Sequence, residues 1–254
     1  MGRDAGWLLA NDAALLAPDA ARRFEAAVAR RAAGEPVAYI VGCAAFYGRR
    51  FEVTKAVLVP RPETEELAER AIAFLRSRGG AEPAFLDAGT GSGALAITLA
   101  CELPAARGIA TDVSPAALAV AERNAAALCV AGRLEFVEAD LMESPAVTRA
   151  APFACIVANL PYVPTAELAS PPDPTTFEPR LALDGGADGL ALYRRLFVQA
   201  PALLSSGGAL FAEAAPHTAT LLATLAAQAF GPDALVRIHR DYGGRDRIVE
   251  IVRP

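Results

Sequence analysis

Two short stretches of the chain carry residue types whose spacing can do chemistry. They are Phe85-Leu86-Asp87-Ala88-Gly89-Thr90-Gly91-Ser92-Gly93 and Asn159-Leu160-Pro161-Tyr162. The first reads as an apolar strand that runs into glycines and then into a helix. Glycines at such a turn let the backbone approach a ligand closely. A dinucleotide site uses Gly-x-Gly-x-x-Gly to seat a pyrophosphate at the helix N-terminus. Here the pattern is Gly-x-Gly-x-Gly, with Asp87 two residues before the first glycine. A carboxylate opposes a pyrophosphate but suits the ammonium end of an amino-acid-bearing cofactor. The charge logic therefore favours S-adenosylmethionine over a nicotinamide dinucleotide, with Asp87, Gly89, Thr90, Gly91, Ser92 and Gly93 around it.

Two later positions extend this reading. A second strand ends at Asp112, where an acid accepts from both ribose hydroxyls; nicotinamide sites share that feature. A third ends at Glu138-Ala139-Asp140-Leu141. Asp140 can accept from an adenine amino group and Leu141 can pack on the ring. The simpler alternative for Asp140 is that acids often end strands in such folds.

The second stretch follows a fourth strand. In an open parallel sheet, ligands bind outside the carboxyl ends of the strands, so Asn159–Tyr162 shares a rim with the glycines. An exocyclic amine or carboxamide nitrogen delocalises its lone pair into a π-system and is a poor nucleophile. It needs two acceptors for its N–H groups, a flat platform and in-line alignment more than it needs a base. The Asn159 side-chain oxygen and the Leu160 or Pro161 carbonyl can accept, and Tyr162 can stack. Asn159 also falls within reach of the cofactor. The bland alternative is an ordinary Asn-x-Pro turn at a strand end. Adenine N6, cytosine N4 and a glutamine amide nitrogen all satisfy this chemistry.

The elements that must position these residues form an α/β pattern from Ala84 onward. Strands are expected at 84–88, 108–111, 134–138, 153–158, 209–213, 235–239 and 247–252. The last two are joined by Asp241-Tyr242-Gly243-Gly244, which suits an antiparallel hairpin. Helices are expected at 93–101, from Ser114-Pro115 onward with serine as N-cap, and from Leu190 to Leu204 with a kink or break at Pro201. Segment 161–179 reads as an irregular loop of a length that is more often functional than not. Before the α/β part, a helix is expected over 18–33 with Phe24, Ala27 and Val28 on one side. Short strands follow at 39–41, 45–47 and 51–53, with Gly48-Arg49-Arg50 as a turn. Thr64 is expected to cap a helix that Gly79-Gly80 ends.

The bulk composition is compatible with this. The 254 residues are 54% hydrophobic and 21% charged, enough for one large core plus a small accessory unit. The formal net charge of −5 leans against a nucleic-acid substrate. Four scattered cysteines and two distant histidines offer no metal site and no histidine triad. The cysteines read as small buried hydrophobes in a reducing compartment. No apolar run is long enough to span a bilayer, and the N-terminus lacks a signal-peptide layout. A cytoplasmic protein is expected.

At this point the residues resemble one family, the release-factor glutamine N5-methyltransferases (HemK/PrmC-like). The likeness extends beyond the glycine loop. Gly34-Glu35-Pro36-Val37-Ala38-Tyr39-Ile40-Val41-Gly42 and Phe46-Tyr47-Gly48 resemble the family's linker hairpin. Val59-Pro60-Arg61-Pro62-Glu63-Thr64-Glu65 resembles its Pro-Arg-Pro-x-Thr-Glu signature. Glu178-Pro179-Arg180-Leu181-Ala182-Leu183, Gly185–Leu190 and Asp241–Arg247 are similar to its later segments. Two departures stand out. Leu160 replaces the first proline of the family's Asn-Pro-Pro-Tyr, giving a form also seen in ribosomal-RNA adenine dimethylases. The family's N-terminal helical domain is also longer. The resemblance implies a Rossmann-like class I S-adenosylmethionine-dependent methyltransferase fold, about seven-stranded and mostly parallel, with a C-terminal antiparallel hairpin. It implies a helical segment over 1–35 that recognises substrate, a linker hairpin over 36–60 and a catalytic domain over 61–254. Asn159, Pro161 and Tyr162 would be catalytic. Arg61, Glu178, Asn159, Leu160, Pro161 and Tyr162 would contact substrate. The substrate would be the glutamine of the Gly-Gly-Gln loop of peptide-chain release factors, which would be the protein partner of a monomeric enzyme.

Overall fold

A computed structural model describes residues 5–78 and 82–254; the expected helix stop at Gly79-Gly80 lies outside them. In chain order the elements are α1 (Ala5–Ala10), α2 (Pro18–Ala32), α3 (Val37–Val41), β1 (Cys43–Phe46), β2 (Arg49–Glu52), α4 (Pro62–Arg78), β3 (Ala84–Ala88), α5 (Ala94–Glu102) and β4 (Arg107–Asp112). There follow α6 (Pro115–Ala127), β5 (Leu134–Glu138), α7 (Pro145–Ala150), β6 (Phe153–Ala158), α8 (Ala191–Leu203), β7 (Leu204–Glu213), α9 (Ala219–Phe230), β8 (Leu235–Arg240) and β9 (Asp246–Val252).

Seven strands form one sheet in the order β5-β4-β3-β6-β7-β9-β8. Strands β5 through β7 pair in parallel, and β9 lies antiparallel between β7 and β8. The central strands are covered on both faces, which explains why Phe85–Ala88 and Cys155–Ala158 are continuous buried runs rather than alternating ones. One core packs α4 and α5 on the sheet through Leu67, Ala71, Leu75, Ile97 and Leu99. The opposite core packs α8 and α9 through Tyr193, Leu196, Phe197 and Leu222. Helix α5 is buried on every side from Ala94 to Ala100, which is why that run carries no charge and only one polar side chain, Thr98. Among the described residues no helix is long and apolar enough to cross a membrane.

The region before the sheet differs from its sequence reading. The apolar run at 39–41 is helix α3, not a strand. It is too short for its period to decide, and it closes on Gly42 in the left-handed conformation at φ 74°. Tyr39 turns inward from it and donates to Val57 O at 2.6 Å. The hairpin turn is Tyr47-Gly48, with φ values of 50° and 69°. Two consecutive positive values mark the two-residue turn that matches strand twist. Arg49 and Arg50 therefore begin β2 instead of forming the turn, and Phe46 pairs with Arg49. Phe24 and Val28 lie four residues apart on α2, but both are exposed. Pro201 lies in the last turn of α8, which continues to Leu203 and passes directly into β7. Of the cysteines, Cys155 is buried, Cys43 and Cys101 are half-buried, and Cys129 is exposed just beyond α6.

Candidate active site

The carboxyl ends of β3, β4 and β6 open onto a cavity of about 440 Å³. This is the switch point of the sheet, where β3 is flanked by β4 on one side and by β6 on the other. The glycine loop forms its floor. Gly89, Gly91 and Gly93 have φ values of 77°, 56° and 81°. A Cβ at Gly89 would lie 2.8 Å from Leu160 Cδ2, and one at Gly93 would lie 2.6 Å from Ile97 Cδ1. A Cβ at Gly91 would meet nothing within 4 Å. The outer glycines thus permit close packing of the loop, while the middle one leaves its approach open. Thr90 and Ser92 line the cavity; Gly93 does not.

Asp87 sits behind this floor rather than on it. Its Oδ2 accepts from Thr90 Oγ1 at 2.7 Å and from the Ala96 N–H at 3.1 Å, so it braces the loop and the first turn of α5. Its Oδ1 is buried with no hydrogen-bond partner among the described residues. Burial pushes the carboxyl up to about 7, against the pull of those two hydrogen bonds. The sequence reading set this acid at a ligand ammonium, directly or through water; the carboxylate lies outside the cavity lining, and its unpaired oxygen is buried behind the loop.

Asp112 does line the cavity. Its Oδ2 accepts from Gly91 N–H and its Oδ1 from Ser114 N–H, both at 2.9 Å. Each oxygen retains a lone pair, so two hydroxyls can still be accepted side by side. Burial raises this carboxyl above its ordinary range as well. Further round, Leu141 is held at φ 55° in the wall. Asp140 is there too, but Arg195 of α8 donates to it at 2.8 Å. An adenine amino group would have to share that carboxylate with Arg195, a partner that the sequence reading did not foresee. The residues present fit S-adenosylmethionine: an apolar wall for a ring, a carboxylate for paired hydroxyls, and a buried acid behind the loop with one unpaired oxygen.

Next to the glycine loop, Asn159, Leu160 and Pro161 line the same cavity immediately after β6, whose Ala158 pairs with Ala88 of β3. Tyr193, wholly buried on α8, supports them. It accepts from the Leu160 N–H at 3.2 Å and donates to Glu213 O. The next residues pair with a later segment. Val163 N–H donates to Leu183 O at 3.0 Å, and Gly185 N–H donates to Val163 O at 2.8 Å. Tyr162 is not in the cavity lining. Its hydroxyl donates to Glu213 Oε1 at 3.2 Å, which ties the loop to the end of β7. Burial and the Glu213 charge drive this phenol well above its ordinary range.

Arg61 lines the cavity, but Glu178 stands behind it and pairs with it. Glu178 also accepts from the Val59 N–H at 3.4 Å. These two residues clamp the approach to α4 onto segment 161–190. Burial raises the Glu178 carboxyl, with Arg61 pulling the other way. Thr64 is not an N-cap. Helix α4 begins at Pro62, a favoured first position, and Thr64 turns its hydroxyl inward to Glu213 Oε2 at 2.7 Å. Asn124 of α6 joins the β-hairpin to the glycine loop, donating to Ser92 O at 2.9 Å and to Glu52 O at 3.0 Å. The sequence reading missed Thr64, Glu213, Tyr193, Asn124 and Arg195. An acid ending β7 at the same rim as Asn159 was the one available signal.

The sheet order, the glycine loop after its central strand and the carboxylate ending the next one define a class I S-adenosylmethionine-dependent methyltransferase. Residues 85–170 match a family model described as a methyltransferase domain, and residues 1–42 match the PrmC N-terminal domain. The chain is 48% identical to the release factor glutamine methyltransferase of Cereibacter sphaeroides over 242 residues, covering 94% of this chain and 82% of that one. It is 45% identical to the enzyme of the same description from Moorella thermoacetica, covering 94% and 83%. Among solved structures, a release factor-specific protein-(glutamine-N5) methyltransferase from Alicyclobacillus acidocaldarius matches with a TM-score of 0.50 at 29% identity, covering 80% of this chain and 99% of that one. The chain belongs to the release factor glutamine methyltransferase family.

Proposed function

We propose that the protein transfers a methyl group from S-adenosylmethionine to the side-chain amide nitrogen (N5) of the glutamine in the Gly-Gly-Gln loop of peptide-chain release factors. The observation that carries this reading is that Asn159, Leu160 and Pro161, which follow the strand paired with the one before the glycine loop, line the same cavity as that loop. The family supplies the substrate class. The cofactor, when bound, supplies a methyl group on a sulfonium that is already a good leaving group. Asp112 holds the ribose, and the loop from Gly89 to Ser92 seats the amino-acid end. Asn159 Oδ1 and a backbone carbonyl of Leu160 or Pro161 accept the two N–H groups of the target amide. That leaves its lone pair facing the transferred carbon, which is chiefly an orientation effect. The N–C bond would form as the methyl's bond to the sulfonium sulfur breaks, leaving a neutral thioether; the amide keeps one N–H and gives its other proton to solvent.

The test is methyl transfer from labelled cofactor to a release factor whose Gly-Gly-Gln glutamine is intact or changed to alanine. Label is expected only on the intact protein; label on the alanine variant would overturn the substrate assignment. Asn159→Ala should lower turnover by about 10²-fold or more while cofactor affinity changes little. Equal loss of both would make Asn159 a cofactor ligand or a structural residue.

A further inference from the structure

Glu213 closes strand β7 and is 1% exposed. Its two oxygens face two hydroxyls: Thr64 Oγ1 at 2.7 Å from Oε2 and Tyr162 OH at 3.2 Å from Oε1. Thr64 is itself buried, and its oxygen receives Asn159 Nδ2 at 3.0 Å. Burial raises the Glu213 carboxyl, with the Thr64 hydrogen bond, the Arg247 charge and the Tyr162 hydrogen bond pulling the other way; in its ionised form it can only accept hydrogen bonds, and a threonine hydroxyl has one proton to give. The Thr64 proton is therefore committed to Glu213, leaving only lone pairs towards Asn159. Only the NH2 edge of the Asn159 carboxamide can meet those lone pairs, so its oxygen is turned to the cavity. The opposite orientation would set Asn159 NH2 against the NH2 of an incoming amide, donor against donor.

We infer that Thr64 and Glu213 are positioning residues that fix the polarity of the Asn159 carboxamide, through a one-way relay from Glu213 to Thr64 to Asn159. This rests on the reading of Asn159 as the acceptor for the target nitrogen. The relay acts on alignment, not on cofactor binding. Thr64→Val keeps the shape and removes the hydroxyl, freeing the carboxamide to rotate. Its kcat should fall by about 10²-fold, the penalty typical of a misaligned reacting group. Thr64→Ser keeps the relay and should restore most of the turnover. Glu213→Gln supplies an NH2 that can donate to Thr64, letting the hydroxyl donate to Asn159 instead. It should lower kcat without emptying the cofactor site.

The experiment measures kcat on the release factor and Kd for S-adenosylmethionine for Thr64→Val, Thr64→Ser, Glu213→Gln and Asn159→Ala, each assayed below its unfolding midpoint. Loss of kcat in the valine variant, recovery in the serine variant and a near-constant Kd support the relay. Thr64→Val turning over like the unaltered protein while Asn159→Ala is inactive would overturn the relay and leave the proposed function intact. Equal loss in Thr64→Val and Thr64→Ser, or a Kd weakened in step with kcat, would also overturn it. If Asn159→Ala itself turns over normally, the reading of the site fails first.

Discussion

Gly189 offers the sharpest test of how the segment after Asn159 is supported. It has a φ of 77°, and a Cβ built on it would lie 2.3 Å from Tyr162 O and 3.1 Å from Tyr162 C. A carbon–oxygen contact is comfortable at about 3.3 Å, so Gly189→Ala demands a displacement of roughly 1 Å. The obstacle is backbone, and no rotamer change relieves it. The left-handed conformation adds about 1–2 kcal/mol for a residue with a side chain, and overpacking adds about 1–3 kcal/mol. Together these predict a loss of about 2–5 kcal/mol and a midpoint lowered by roughly 4–20 °C for a chain of this size. Gly42→Ala is the internal reference. Its φ is 74°, but its Cβ would meet nothing within 4 Å, so it should cost only the conformational part, about 1–2 kcal/mol. Thermal unfolding of both variants isolates the steric part. Single-turnover methyl transfer then reports whether the shift reaches Asn159–Tyr162, where about 1 Å can cost about 10²-fold. A Gly189→Ala protein as stable as Gly42→Ala, with unaltered turnover, would refute the claim that segment 185–190 rigidly backs the loop.

Asp112→Ala should weaken S-adenosylmethionine binding by roughly 10- to 100-fold in calorimetric titration, the equivalent of one charged hydrogen-bonding partner; an unchanged Kd would remove its ribose role. For Asp87, the folded carboxyl titrates near 7 because it is buried, whereas an unfolded one titrates near about 3.9. The unfolded chain therefore loses its proton first, so this residue's contribution to the stability of the free protein is full below about pH 4, is lost as pH rises towards 7, and then levels off. In the proposed role, an ammonium that reaches the ionised form directly or through water makes cofactor affinity rise over the same upper range, from about pH 6 to 8. Asp87→Asn should flatten both trends, and a retained slope in the variant would assign it to another group.

The sheet was legible because its central strands are buried on both faces. The expected bounds 84–88 and 153–158 coincide with β3 and β6; those of the edge strand β5, 134–138, coincide too, although none of its residues is buried. Ser114 caps α6 through Ala117 N–H at 3.2 Å, as a serine before a proline predicts. The cavity lining was legible wherever the glycine pattern or strand ends pointed at it. What escaped were residues whose partners are remote in sequence. Thr64 has the right type for an N-cap, and nothing local shows that its hydroxyl serves Glu213, 149 residues away. Tyr162 has the right type to stack, but Glu213 holds its hydroxyl. Asp87 stands at the right spacing for a ligand contact, yet the loop folds over it. At 39–41, Tyr-Ile-Val favours a strand by composition, and only the burial of Tyr39 and the turn at Gly42 decide for a helix.

The clamps around the cavity have a consequence for how the molecule comes into being. Arg61 reaches Glu178 across 117 residues, Thr64 reaches Glu213 across 149, and Glu66 receives the Tyr242 N–H across 176. Contacts of such separation form late, because a long loop must close before they reward it. A chain emerging from synthesis as far as Tyr162 already contains the glycine loop, Asp112 and Asn159. It lacks the carboxylate that orders Asn159 and the hairpin that ties down α4. Competence for methyl transfer is thus among the last properties the growing polypeptide acquires, and an unfinished copy holds the parts of its active site without their alignment.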